Sequence, residues 1–406
     1  MPTSVGPKTV AEDSLVFAFD QDYFPHGWGL EQLAYNPTFE ESGTKPSGPS
    51  VYSSGNYLGA MTQSIMQGGT FSYTGGDLSN YYSTNPEWRG WDNGGIGSTG
   101  GNWVYFNDIL PLATSSLEDY IVDVRLRFVY VSLTGNGSTN PYVQIGRAYN
   151  SFKSIYYNEV GTDFKRIRFK FNGAQGNNYG GNNRDLTFGC TSADAMVEMD
   201  HFYVYRINKS TGLKDLTGNS TIDLTNASFN TDAQLVFDGT NDSADLNSAP
   251  LEAGATEYSI EAVFKPDSTK TQVIWEQNSS TLQNGKRVCM ILISDGDGGF
   301  NGQSADFHDA ASYTTGSWHH WIITMDTTLG SNKVKVYTNG TLEASGNPSN
   351  SSTLNAGADK SSIGKKVSTN SEYFDGEIAL VKVYNRVLSA SEVKANYNAI
   401  KGRFNI

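Results

Sequence analysis

The sequence is poor in charged residues, in cysteine and in long apolar runs, and each shortage excludes a class of protein. Charged residues make up 17% of the 406 residues, against about 25% in a typical domain. The chain has 42 acidic and 29 basic residues, a net charge of −13, which disfavours binding to nucleic acid or to anionic lipid. No stretch approaches about 18 apolar residues, so we expect no insertion into a membrane. The two cysteines lie about a hundred residues apart, which excludes a disulfide framework.

Glycine and aromatic residues are plentiful instead, with 43 Gly, 23 Tyr and 20 Phe. This composition suits antiparallel sheets joined by polar turns. Short runs alternate apolar and polar residues, which predicts sheets with one buried and one solvated face, packed as sandwiches. The predicted strands form two series: 14–20, 121–131, 164–171 and 195–205, then 234–242, 258–264, 288–293, 318–325, 333–337 and 374–384. The predicted fold class is all-β, with two antiparallel sandwiches and one short C-terminal helix.

Local signals place that helix and one tight hairpin. Ser389 and Glu392 have the spacing of a capping box, and apolar residues follow at helical spacing. Gly402 is expected to end the helix. Asn339-Gly340, between two alternating runs, predicts a two-residue hairpin turn.

Three segments of the second series have a familiar pattern: Leu235–Asp242, Phe374–Tyr384 and Asn385–Asn398. They resemble the laminin-G-like, concanavalin A-like jelly roll of virion proteins of tailed bacteriophages. The resemblance implies a structural, non-enzymatic component of the virion, as a head decoration, a neck or collar fibre, or a tail fibre. It also implies binding to other virion structural proteins and to further copies of the chain as a homo-oligomer.

The chain departs from that family in the spacing of its first strand. Leu15–Asp20 is similar to the family's opening strand, yet roughly 190 residues separate it from the next matching segment, which predicts a domain inserted at an exposed hairpin tip. The predicted organisation has four parts: the arm and first strand in 1–22, the insert in 23–206, the jelly roll in 207–388, and the helix and tail in 389–406.

The insert has a resemblance of its own. Tyr35–Glu40 and Met196–Val204 are similar to the opening and closing strands of carbohydrate-binding modules of the galactose-binding-like jelly roll. In that family, acidic residues at these places help to hold a structural calcium ion, so the resemblance implies Glu40 and Asp200 as ligands. Calcium suits carboxylate and carbonyl oxygens presented by rigid loops.

The densest cluster of aromatic and polar residues lies in 85–93 and just before it. The apolar faces of sugar rings stack on Trp and Tyr, while their hydroxyls bind Asn, Asp and Arg. Tyr81, Tyr82, Trp88 and Trp91 are therefore a candidate platform for a cell-surface polysaccharide. The alternative is that Trp88 and Trp91 are anchors of a core or of a protein interface.

Other candidate metal ligands have simpler explanations. Asp295 with Asp297, and Asp238 with Asp242, can approach a calcium ion, but glycine-rich turns need no metal. In the pair His319-His320, adjacent residues of a strand point to opposite faces and do not share an ion easily.

Catalysis has little support in the sequence. No Gly-x-Ser-x-Gly elbow, His-Glu-x-x-His pair or phosphate-binding loop occurs, and we expect the protein not to be an enzyme. The alternative function is a bacterial surface or secreted lectin-like protein that binds polysaccharide. The opening residues lack the features of a secretion signal, which counts against that alternative.

Overall fold

The structure is a computed structural model. It describes residues 14–21, 31–32, 88–89, 102–106, 118–131, 142–147, 150–173, 186–190, 195–208, 212–278, 286–349, 356 and 359–406. Contacts divide the chain into a terminal unit, residues 1–29 and 211–406, and a central unit, residues 30–210. Within the described part, strands dominate and pair antiparallel in the sheets, so the predicted all-β fold class with a C-terminal helix is confirmed.

After β1 (Leu15–Asp20), which belongs to the terminal unit, the chain forms the central unit. Its elements are β2 (Glu31–Gln32), β3 (Trp88–Arg89), β4 (Asn102–Phe106), β5 (Glu118–Val131), β6 (Tyr142–Arg147), β7 (Asn150–Tyr156), the one-turn helix α1 (Tyr157–Val160), β8 (Lys165–Asn172), β9 (Leu186–Cys190) and β10 (Ala195–Asn208). One sheet has the order β2-β10-β5-β8, with β3 also on β10. The other has the order β4-β9-β6-β7.

Strand β5 is buried on both faces from Asp119 to Val124, where the alternation predicts one solvated face. Its apolar side chains are buried as predicted: Val122, Val124, Leu126 and Phe128. Asp123, on the opposite face, is buried as well. The Nε atoms of Arg166 and Arg168 on β8 donate to its carboxylate at 2.7 and 2.8 Å. The expectation of a solvated face is wrong at Asp123, because two guanidinium groups replace water around its carboxylate, whereas Arg125 on the same face is exposed.

The terminal unit continues with fifteen strands and one helix. They are β11 (Leu213–Lys214), β12 (Thr221–Thr225), β13 (Ser228–Phe229), β14 (Leu235–Asp238), β15 (Ser243–Leu246), β16 (Glu257–Pro266), β17 (Gln272–Asn278), β18 (Val288–Leu292), β19 (Asp297–Asn301), β20 (Phe307–Ser312), β21 (His319–Asp326), β22 (Val334–Thr338), β23 (Thr341–Gly346), β24 (Lys360–Ile363), β25 (Asp375–Tyr384) and α2 (Ala390–Phe404).

Together with β1, these strands form two eight-stranded antiparallel sheets. The first sheet has the order β13-β14-β25-β16-β21-β22-β23, with β1 also on β25. The second has the order β11-β12-β15-β24-β17-β18-β19-β20. The predicted hairpin at Asn339-Gly340 joins β22 to β23, and both residues have positive φ, 48° and 74°, as a type I′ turn requires.

Strands β1 and β14 lie end to end along one edge of β25. β1 pairs with residues 380–384 of β25, and β14 pairs with residues 375–378. On its other side, β1 is bound by a turn, in which the Leu216 amide donates to the Ala18 carbonyl at 2.9 Å. The opening strand therefore pairs within the terminal unit, as we predict from the sequence. That the intervening residues are an inserted carbohydrate-binding module stays a prediction.

Two Phe-Asp-Gly motifs meet where β14 pairs with β25. Phe237–Gly239 and Phe374–Gly376 run antiparallel, and the two phenylalanine rings make an edge contact at 5.9 Å. Gly376 has φ of 134°, and a Cβ there would collide with the carbonyl oxygen of Lys265. The motif thus marks a close approach of two backbones that only glycine allows.

Helix α2 covers the outer face of the first sheet. Its capping box is confirmed, with the Ser389 hydroxyl accepting from the Glu392 amide. Gly402 does not end the helix, which continues to Phe404 and stops at Asn405 in the left-handed conformation. The prediction of the end was wrong because an exposed glycine is tolerated inside a helix whose neighbours are packed. Val393 and Ile400 are buried against the sheet.

Candidate functional site

A row of polar residues crosses six adjacent strands of the second sheet. In register, from β12 to β19, the row is Asp223, Asp245, Ser362, Glu276, Cys289 and Asn301. The next row along is apolar: Leu224, Ala244, Ile363, Trp275, Met290 and Phe300. Since side chains alternate between faces, the apolar row faces the core and the first row faces outwards. We call the first row the polar row.

Arg287, directly before β18, holds the middle of the polar row together. Its Nε and Nη2 atoms donate to Glu276 Oε2 at 2.9 and 2.7 Å, and its Nη1 atom donates to Asn301 Oδ1 at 2.8 Å. Nη2 also reaches Glu372 Oε2 at 3.2 Å. The side chains of Glu276 and Arg287 are 0% and 3% exposed. This fork of charged hydrogen bonds fixes the centre of the row.

The surroundings shift the pKa values of Arg287 and Cys289. Burial lowers the pKa of Arg287, but the charge of Glu276 and its hydrogen bond outweigh burial and raise that pKa overall. Burial raises the pKa of the Cys289 thiol well above its usual value. Cys289 therefore stays a thiol, which makes it a poor nucleophile and a poor metal ligand.

Two further ion pairs, which we call the rim, lie on the accessible part of this face. Lys365 Nζ lies 2.8 Å from Asp245 Oδ2, and Lys366 Nζ lies 2.7 Å from Glu372 Oε1. Their side chains are between 12% and 36% exposed. A fold-back after β24 positions the rim, because the amide of Val273 on β17 donates to the Glu372 carbonyl at 2.9 Å. Fixed donors and acceptors are thus presented to solvent.

The two carboxylates around Arg287 are not arranged for glycoside hydrolysis. Glu276 and Glu372 both bind the same Nη2 atom, and Lys366 binds Glu372 as well. A general acid or a nucleophile needs a carboxyl group that reaches the substrate. Glu276 is fully buried, so the arrangement suits hydrogen bonding to a ligand at the rim.

The sequence-predicted site falls mostly outside the described residues, where Glu40, Tyr81, Tyr82 and Trp91 lie. Trp88 and Asp200 are described by their backbone. Trp88 on β3 is opposite Met199 on β10, and Asp200 follows at an irregularity in the pairing of β10 with β5. The structure thus brings these two positions to neighbouring strands of one sheet. The glycan platform and the structural calcium at Glu40 and Asp200 both stay predictions.

The other carboxylate pairs form bonds within their own turns. Asp242 Oδ2 accepts from the Asp238 amide at 2.9 Å, and Asp295 Oδ1 accepts from the Asp297 amide at 3.1 Å. Among the residues with described side chains, no group of three or more His, Cys, Asp or Glu is placed to hold a metal ion.

The adjacent histidines point to opposite faces, as predicted. His319 lies beside the Thr314 backbone, with its Nε2 atom 2.9 Å from the carbonyl oxygen. His320 Nε2 donates to Glu261 Oε1 at 3.0 Å, beneath α2. The pair therefore does not form a shared metal site.

Sequence reasoning missed the polar row. Its members come from strands that are far apart along the chain, and the order β15-β24-β17 in the sheet is not the order in the sequence. The one local signal is that Glu276 and Asn278 stand in a buried strand with no compensating charge close to them in sequence. A buried carboxylate requires a partner, and that partner is Arg287.

A family model covers all of the polar row except Asp223. Residues 238–394 match the Laminin_G_3 family, described as the concanavalin A-like lectin/glucanases superfamily. The chain therefore contains a laminin-G-like, concanavalin A-like jelly-roll domain. No curated protein matches the chain. Among the residues that the structure describes, no helix is both long and apolar enough to cross a membrane.

Several solved structures are similar to parts of the chain. Domain 4 of the arabinanase AbnA from Geobacillus stearothermophilus, in complex with arabinotriose, is 21% identical, covering 46% of this chain and 94% of that one, with a TM-score of 0.31. The CBM40 of the Ruminococcus gnavus IT-sialidase, bound to α2,3-sialyllactose, is 19% identical, covering 35% and 83%, with a TM-score of 0.29. The sialidase of Trypanosoma rangeli is 16% identical, covering 45% and 30%, with a TM-score of 0.35.

Proposed function

We propose that this protein is a non-enzymatic carbohydrate-binding protein, and that its jelly-roll domain binds glycan at the rim of the polar row. The observation that supports the proposal is the rim itself. Two half-buried ion pairs stand on an outward sheet face, and Arg287 holds one of their carboxylates, that of Glu372. Oriented charged groups are strong partners for hydroxyl groups, and the match to a superfamily named for lectins and glucanases supports the same function.

A glycan array followed by calorimetric titration tests this function. Binding with a dissociation constant below about 1 mM is expected, and the double substitution Lys365→Ala and Lys366→Ala is expected to weaken it at least ten-fold. Lys335→Ala, on β22 of the other sheet, is the matched control and should leave binding unchanged. Undiminished binding in the double variant, with an unchanged melting temperature, would exclude the rim as the site.

The aromatic platform predicted in the central unit is a second candidate contact. Trp88→Ala and Trp91→Ala test it in the same assay, because loss of a stacking ring weakens sugar binding without altering the rim. If these variants lose binding and the lysine variants keep it, the glycan site lies in the central unit.

We further propose that the protein works as a structural part of a tailed phage particle, attached to other virion proteins. The support is the resemblance of three segments, which form β14, β25 and α2 and the residues next to them. The runner-up is a lectin-like protein of a bacterial surface or secretion. Mass spectrometry and immuno-electron microscopy of purified particles distinguish the two, since only the virion component is recovered with the particle.

The absence of catalysis is part of the proposal and has its own test. Incubation of the protein with the glycans that it binds should release no new reducing ends. Release that is abolished by Glu372→Gln would instead identify the domain as a depolymerase.

A further inference from the structure

The charges around the polar row balance one another, and we infer that the rim binds neutral glycans and discriminates against acidic ones. This inference rests on the proposed function and names the class of sugar. Three carboxylates are each bound by a cation: Asp245 by Lys365, Glu276 by Arg287 and Glu372 by Lys366. Elsewhere on the same face, Asp223 and the exposed Lys360 add one charge of each sign.

An acidic sugar would have to take a cation from one of these pairs. Arg287 is the strongest anion ligand by geometry, because its planar fork matches a carboxylate. Arg287 is also the least available of the three cations. An acidic sugar that drew it away would leave the carboxylate of Glu276, which is 0% exposed, without its cation. Leaving a buried charge unpaired is far more costly than the gain from one new surface contact. The centre of the row therefore does not accept an anion.

The lysines of the rim are also paired with carboxylates, which oppose the binding of an acidic sugar less strongly than at Arg287. A uronate that bound Lys365 would lie against the carboxylate of Asp245, and one that bound Lys366 would lie against Glu372. Like charges in contact oppose binding. The net charge of −13 adds a long-range repulsion of anions.

A neutral hydroxyl group meets no such penalty. An ammonium group has three N–H donors, and a carboxylate has about four acceptor sites, so neither group is saturated by its partner. A sugar hydroxyl can accept from Lys366 and donate to Glu372 while the ion pair stays intact. Pairs of neighbouring hydroxyls on a pyranose ring match such adjacent donors and acceptors. This face can thus form hydrogen bonds to a neutral sugar while its ion pairs stay intact.

The test compares oligosaccharides that differ in charge. The full chain is titrated with neutral galactose and glucose oligomers and with galacturonate oligomers of equal length, at 20 and at 500 mM NaCl. We expect a neutral oligomer to bind at least ten-fold more tightly than the uronates, with less than a two-fold change across this salt range. Tighter binding of uronates, or a ten-fold loss for the neutral ligand in high salt, would overturn the inference and leave glycan binding itself standing. Binding of neither class would overturn both proposals.

One substitution should change the preference in a defined direction. Asp245→Asn keeps the size of the side chain but leaves the Lys365 ammonium without its carboxylate. We expect this variant to gain uronate binding about ten-fold relative to the wild type, with the gain abolished at 500 mM NaCl. Glu343→Gln, on the exposed strand β23 of the other sheet, is the control for loss of one negative charge. An equal gain in Glu343→Gln would show that net charge decides the preference, contrary to the inference.

Discussion

At the scale of single residues, Arg287 joins three side chains of the second sheet and its fold-back: Glu276, Asn301 and Glu372. Its substitution by alanine removes the bidentate partner of Glu276 and the donor to Asn301. We expect Arg287→Ala to lower the free energy of unfolding by about 3–5 kcal/mol, the usual cost of an unpaired buried charge. Urea unfolding measures this loss. Lys335→Ala is expected to stay within about 0.5 kcal/mol, and a loss below about 1 kcal/mol in Arg287→Ala would contradict the role given to the pair.

Gly376 gives a second prediction at this scale, because its backbone conformation and its surroundings both exclude a side chain. With φ of 134° and the Lys265 carbonyl against the position of a Cβ, Gly376→Ala is expected to cost at least about 2 kcal/mol. Gly402→Ala is the opposite case, since that helical glycine has open space around it and alanine there should stabilise by up to about 1 kcal/mol. Thermal unfolding of the two variants should move in opposite directions. If the melting temperatures of both variants changed in the same direction, the local backbone conformation would not be the cause of the stability changes.

Single residues also show what the sequence can and cannot predict. The hairpin at Asn339-Gly340 and the helix start at Ser389 depend on neighbours within four positions, and both are found as predicted. Glu276 and Arg287 are 11 positions apart in the sequence, and the rim needs strand β24 to lie between β15 and β17. Register between distant strands is decided by the packing of the whole sheet, so composition and spacing alone could not reveal the polar row.

At the scale of elements, helix α2 is held by a buried polar contact as well as by apolar packing. Asn396 of the helix donates to Glu261 Oε2 at 2.9 Å, and Tyr384 donates to the same atom at 2.8 Å. Glu261 lies on β16 and is 0% exposed. The burial of this carboxylate raises its pKa, but the hydrogen bond from His320 and the charge of Lys382 outweigh burial, so its pKa lies below the ordinary value.

This lowered pKa predicts how the helix responds to acid. A carboxyl group whose pKa is lower in the folded state stabilises the fold above its unfolded pKa of about 4.5, and this stabilisation is lost as the pH falls. We expect the wild type to lose more stability than Glu261→Gln between pH 7 and pH 3. Hydrogen exchange of the amides in 390–404, read by mass spectrometry, should show α2 opening first. Equal acid sensitivity in both proteins would mean that Glu261 does not link the helix to pH.

The helix also shows why an alternating pattern overstates the solvated surface. Alternation in β16 and β25 predicts one face in water, yet α2 covers that face and buries Glu261 and Lys382 there. In the central unit, Asp123 is buried by two arginines. Polar residues at alternate positions indicate only that a face is not part of the apolar core. Whether water, a helix or another charge covers that face depends on elements elsewhere in the chain.

At the scale of the whole molecule, the order of strands along β25 predicts that the terminal unit folds without the central one. β1 and β14 follow one another along the same edge of β25, and the turn at residues 215–220 binds β1 from its other side. A chain in which residues 30–210 are replaced by a short Gly-Ser linker therefore keeps every described strand of the terminal unit. We expect this excised chain to be monodisperse and to unfold cooperatively.

The matched control removes the opening strand and keeps the rest. Deletion of residues 1–21 exposes the core around Phe17 and Phe19, which are 0% and 1% exposed, and leaves Arg403 without its 2.9 Å contact to Asp20. Burial of two phenylalanine side chains is worth about 3–6 kcal/mol, a large fraction of the stability of a typical domain. We expect the deletion to lower the melting temperature far more than the excision does, as measured by circular dichroism. A stable deletion variant beside an unfolded excised chain would show that residues 30–210, and not β1, complete the jelly roll, and the inserted-domain organisation would then be wrong.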